Sequence, residues 1–176
     1  MLPGMSEIEP DTKDWTWVVE RVCPECGFDA GALAPDAVGA AVHAAIPRFV
    51  AVLDRDDVRE RPDPSTWSPL EYAAHVRDVF DVFDGRLALM LGQEAPDFAD
   101  WDQDAAAGGY AQEDSQDVAA GLQRAGARVA ARFDAVEADQ WERTGRRSNG
   151  SQFTVATLGQ YFVHDVVHHL HDVGAD

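Results

Sequence analysis

Four stretches of this chain repeat apolar residues at three- and four-residue steps, and almost none alternates at the two-residue step of a strand. That pattern limits the chain to packed helices. In the first stretch, from Pro35, the repeating residues are Val38, Val42, Ile46, Phe49, Val50 and Leu53. Pro47 interrupts it and predicts a kink or a division, because proline has no amide hydrogen to donate. The second stretch opens on Ser68-Pro69-Leu70-Glu71. Ser68 is the N-cap, Pro69 the first helical residue and Glu71 the return partner of a capping box, and the helix should run to about Leu91 before Gly92. A third helix is expected at roughly Glu113–Val136. A fourth starts on a Thr154 cap and stops at Gly174. The reading is an all-α four-helix bundle over residues 35–176, preceded by a non-helical arm over residues 1–34.

The chain has 176 residues, enough for one domain with a real core. Its formal net charge of -18 repels phosphate backbones and anionic membrane surfaces, so neither nucleic acid nor membrane is expected as a partner. No stretch approaches the roughly 18 apolar residues of a membrane span, and MLPGMSEIEPDTKDW has no basic-plus-apolar leader pattern. A cytoplasmic location is the expectation. With only Cys23 and Cys26, the chain is not a disulfide scaffold.

The chemistry concentrates in histidines. His164 and His168 stand one helical turn apart and project from one face. Thr157, Gln160, Tyr161 and His171 share their stripe, which is flanked by apolar residues on both sides, as suits a helix facing a polar cleft. His75 lies at the edge of an apolar face of the second helix. On packed helices, His75, His164 and His168 can meet one divalent metal with an open position for water or a thiol. The plainer reading is that paired histidines arise by chance, or complement the dipole at a helix C-terminus, and that His75 is a hydrogen-bonded core residue. His169 points off the 164/168 stripe. His171 can reach the cluster or serve only the dipole, and His43 carries no signal. Glu71 and Asp165 stand near the proposed ligands and can orient an imidazole. Arg146 and Arg147 can hold a carboxylate, though a solvated loop pair is the simpler account. Trp67, Trp101, Trp141, Phe98 and Tyr110 are core or loop anchors that can also line a pocket.

Cys23-Pro-Glu-Cys26-Gly resembles one knuckle of a zinc ribbon, but the chain has no second cysteine pair. Three readings stay open: a tight turn without chemistry, a redox dithiol, and zinc bound with a histidine or across a dimer. Ligand count ranks them in that order.

The stretch WSPLEYAAH ending at His75, with HDVVHHLHDV near the C-terminus, resembles the DinB-like superfamily over about residues 35–173. That superfamily includes the N-terminal domains of mycothiol-dependent maleylpyruvate isomerases and the bacillithiol transferases. The resemblance implies an up-down-down-up bundle, often dimeric. It also implies zinc or nickel on histidines matching His75, His164 and His168. The opening WTWVVERVCPECGFDAG is similar to an arm of actinobacterial members. Lys13 is the single lysine, as in a GC-rich genome, and such an origin would make the thiol mycothiol. The expected activity is metal-dependent S-transfer or isomerisation of a small electrophile by a small-molecule thiol. The alternatives are a hydrolase with metal-activated water and a non-catalytic ligand- or metal-binding stress protein. Thiol-dependent turnover separates the first from the others.

Overall fold

The computed structural model describes residues 8–176. Helix α1 spans Val38–Leu53, α2 Pro69–Gly92, α4 Ser115–Asp134 and α5 Val155–Asp172, with a short α3 at Gln103–Ala107. The capping signals decide the ends. Ser68 and Glu71 make the expected reciprocal box at the start of α2, and Thr154 and Thr157 make one at α5. At α4 the cap is Asp114, whose carboxylate accepts from the Gln116 and Asp117 amides, so this helix starts and ends about two residues inside the expected range. Pro47 does not divide α1, which runs unbroken through it.

The helices surround one core. The most extensive packing is of α4 on α1 and α2, with α5 closing the other side against the same two helices. Helices α4 and α5 thus lie on opposite sides of the pair α1 and α2. Phe49, Phe80, Phe133, Phe162 and Leu122 fill the centre, all at most 1% exposed. Close approach depends on small residues. A Cβ on Gly126 of α4 would lie 2.7 Å from Ile46 Cδ1 and 2.9 Å from Phe80 Cε2, so any larger residue must displace the side chains of Ile46 and Phe80. The segment Pro35–Leu53 is long and apolar enough to cross a membrane by composition, yet Val38, Val42, Phe49, Val52 and Leu53 are spent on this core.

The expectation of a wholly α-helical fold needs one correction. Strands β1 (Asp97–Phe98), β2 (Thr144–Arg147) and β3 (Gln152–Thr154) form a small sheet in the order β1-β2-β3, with β1 parallel and β3 antiparallel to β2. The sheet ties down the acidic loop after α2. Arg146 pairs with Asp97, its register partner, and Arg147 with Asp100. The arm before α1 contains 3-10 turns at Thr16–Val19, Ala30–Ala32 and Pro35–Ala37 but no α-helix among its described residues.

Candidate metal centre

One residue along an α-helix is a rotation of about 100°. On α5 this separates two ligand-bearing faces that share a turn. His164 and His168 form one, and Asp165 and His169 form the other. The expected set of His75, His164 and His168 is not gathered at one point. His75 groups with Asp165 and His169, while His164 and His168 group with Cys23 and Cys26. The physical reason is the position of α2. It meets the Asp165/His169 face of α5, whereas the arm lies on the other.

In the first group, His75 Nε2 is 3.9 Å from Asp165 Oδ2, and His169 Nε2 is 3.7 Å from Asp165 Oδ1. The His75 and His169 rings meet edge-on, with centroids 4.8 Å apart. Asp172 Oδ2 lies 2.8 Å from His169 Nδ1 and fixes that ring with Nε2 turned to the cluster. His75 is 3% exposed and held between Trp67 and Trp101, at 5.2 and 5.4 Å. Burial, reinforced by His169, lowers the His75 pKa to about 4, so its imidazole is neutral and offers a lone pair at neutral pH. Burial also pushes His169 down, but Asp165 and the Asp172 hydrogen bond outweigh it and raise the group above its ordinary value.

Two buried atoms here lack partners: His75 Nδ1 and Asp165 Oδ2. A buried carboxylate oxygen without a donor is costly. With two imidazole nitrogens beside the same carboxylate, the missing partner fits a cation. Nitrogen and oxygen ligands about 2.1 Å from a tetrahedral metal lie about 3.4 Å apart, close to the separations seen. Two imidazoles and a carboxylate therefore suit a divalent metal with open coordination positions.

The open side faces a cavity of 510 Å³ that reaches from the arm, at Glu9, Asp11 and Trp15, to Trp101 and Arg147. A side cavity of 80 Å³ continues past Tyr161 to Arg86. Arg86 is 7% exposed and, among the described residues, has no carboxylate within ion-pair distance; its guanidinium packs on the rings of Phe83 and Phe98. Burial, with Arg147 adding to it, lowers its pKa to about 10, so it stays cationic at neutral pH.

The other sequence candidates disperse. His171 is exposed and pairs with Asp176, and His43 lies half-exposed, 3.6 Å from Asp134. Glu71 is consumed by its capping box and by Arg61, so Asp172 rather than Glu71 orients an imidazole. Arg146 is exposed in the sheet, while Arg147 lines both cavities. Trp67 and Trp101 line the main cavity, whereas Phe98, Tyr110 and Trp141 pack on the core. Sequence reasoning missed Asp165 and His169 as a ligand pair. Their spacing, four residues apart like His164 and His168, was the available signal.

The sequence profile of the DinB superfamily matches residues 40–173. Among curated proteins none matches. The solved structure of YfiT from Bacillus subtilis superposes with a TM-score of 0.69 at 18% identity, over 80% of this chain and 85% of that one. YfiT is described as a probable metal-dependent hydrolase with an unusual four-helix bundle topology. At that identity the likeness is one of fold.

Proposed function

The chain belongs to the DinB superfamily, and from its site we propose that it is a metal-dependent enzyme acting on a small, carboxylate-bearing electrophile. The observation that carries this reading is the Asp165 carboxylate in the cavity lining, with its unpartnered Oδ2 beside His75 Nε2 and its Oδ1 beside His169 Nε2. These three side chains would hold the metal. Zinc or nickel bound there supplies a Lewis acid that lowers the pKa of a coordinated thiol or water.

The protein's own groups do the rest. Asp172 keeps His169 Nε2 aimed inward. Trp67 and Trp101 wall His75 off from solvent, which strengthens electrostatic interactions inside the site. Arg86 places positive charge at the inner end of the cavity, beside Arg147, which is paired with Asp100, in a protein that is otherwise strongly acidic. A carboxylate there would neutralise the buried Arg86 guanidinium, which has no carboxylate within ion-pair distance among the described residues. A cavity of 510 Å³ has room for a low-molecular-weight thiol of the mycothiol type beside its electrophile. Thiol S-transfer or isomerisation is the first reading. Hydrolysis is the second, favoured by the description of YfiT.

The test is turnover by protein reconstituted with zinc, nickel, cobalt or manganese, with and without thiols, on a panel of carboxylated electrophiles and esters. Metal-dependent, thiol-dependent conjugation that His75→Ala abolishes supports the first reading. Turnover without thiol supports the second. A metal-loaded protein that binds these compounds without converting them is a binding protein.

A further inference from the structure

The second ligand group has no role in the chemistry above. We propose that Cys23, Cys26, His164 and His168 form a closed, structural zinc site that fastens the N-terminal arm to α5. One donor atom from each residue lies within 4.8 Å of all the others. Cys23 Sγ is 3.8 Å from His168 Nδ1, and Cys26 Sγ is 3.8 Å from His164 Nε2. With metal–sulfur bonds of about 2.3 Å and metal–nitrogen bonds of about 2.1 Å, a tetrahedral centre sets sulfur and nitrogen about 3.6 Å apart. The cysteines are spaced C-x-x-C and the histidines H-x-x-x-H, the spacings that two-cysteine, two-histidine zinc sites use, although Cys26 and His164 are 138 positions apart.

The surroundings are built for the ion. The Gly27 amide donates to the Cys23 carbonyl at 2.8 Å and the Cys23 amide to Phe28 at 3.0 Å, which folds the pair into a knuckle. Gly27 sits at φ +73°, where a side chain is strained. Cys23 is fully buried, His164 is 4% exposed and His168 8%. Trp15 covers both imidazoles, at 5.7 and 5.1 Å. His168 would ligate through Nδ1, since its Nε2 faces Glu25 at 3.6 Å and Asp172 at 3.9 Å, the outer carboxylates that commonly orient a metal-bound imidazole.

A disulfide between the cysteines would leave two buried imidazoles converging on sulfurs that no longer accept a metal. A reactive dithiol is also a poor fit, because Cys23 has no access to solvent. Zinc binding displaces the two thiol protons to solvent and involves no change of oxidation state. All four positions come from protein, so none is left for substrate. The staple's effect on function is indirect. It fixes the arm residues Glu9, Asp11 and Trp15 that wall the cavity. The inference does not depend on the proposed function, because its four ligands are distinct from His75, Asp165 and His169, although His164 and His168 also line the cavity.

Cobalt(II) reconstitution of the full-length protein tests it. Wild type should show a thiolate-to-cobalt charge-transfer band and the intense visible bands of a tetrahedral centre. The His75→Ala, His169→Ala variant should keep both, and Cys23→Ser, Cys26→Ser should lose them while still binding metal at the other site. Zinc-loaded wild type should resist thiol reagents until a mercurial releases one zinc per chain, a readout that needs no variant to fold. Trypsin should then cleave the arm after Lys13 or Arg21. Rapid modification of both thiols in zinc-loaded protein, or a cobalt spectrum without the thiolate band, would overturn the proposal. Failure of the cavity site to turn over any substrate would leave these readouts unchanged.

Discussion

The two faces of α5 carry similar side chains and differ in what packs against them. On one face, His164 and His168 meet the fully buried Cys23 and the half-buried Cys26 of the arm, under Trp15. On the other, Asp165 and His169 meet a single histidine of α2, and the remaining side is a cavity. Four protein ligands close a site, and three beside a void leave it open. The comparison teaches that the helix spacing sets only the geometry of a ligand pair. The neighbouring element decides whether that pair holds a structure together or does chemistry.

The largest expected effect breaks the open face. His75→Ala with His169→Ala should lower metal-dependent turnover by at least about a hundredfold. A matched loss of one metal per chain by elemental analysis checks it, with the thiolate spectrum of the other face intact. Next is Asp172→Asn, which should weaken metal binding at the open site by roughly 10–100-fold, because it loosens the ring of His169 without removing a ligand. Competition against a fluorescent chelator measures that. Asp172 also lies 3.9 Å from His168, so a comparable loss at the cysteine site would show that the two faces share their outer carboxylate.

A smaller effect concerns the frame that presents His75. Burial raises the Glu71 carboxyl, but Arg61 and the Ser68 hydrogen bonds more than offset this and hold its pKa below the ordinary value of 4.5. The folded-state pKa is depressed, so this stabilisation is complete above that value and is lost as pH falls through the folded pKa. Glu71→Ala should cost about 3 kcal/mol at neutral pH, since it removes a buried pair and a helix cap together. Urea denaturation of metal-free protein measures it. The variant should also lack part of the wild type's stability loss below pH 4.5. The smallest effect sharpens the packing side of the comparison. Gly126→Ala should cost roughly 1–3 kcal/mol by overpacking α4 on Ile46 and Phe80, with both metal sites unaffected.

The frame was largely legible in the sequence because capping is local chemistry. Ser68 with Glu71 and Thr154 with Thr157 act within three residues of one another. The sheet was not legible. Strands of two to four residues are too short to show alternation, and β1 finds its partner beyond the whole of α3 and α4. At the site, His75 was identified for its position at the edge of an apolar face, but its partners were not. His169 lies off the 164/168 stripe, but Asp165, which the sequence suggests only as an orienting group, shares its own. For Cys23 and Cys26, metal binding ranks behind a structural turn and a redox dithiol in the sequence, because no second cysteine pair follows them. Only the fold brings α5 back to the arm.

The most direct test of the two-faced helix is the metal content of three purified proteins: wild type, His75→Ala with His169→Ala, and Cys23→Ser with Cys26→Ser. The account predicts two metal ions per chain in wild type and one in each variant, with the thiolate–cobalt spectrum surviving only in the histidine variant. One ion in wild type that is lost equally in both variants would mean that His75, His169 and the cysteines serve a single centre, and would contradict it.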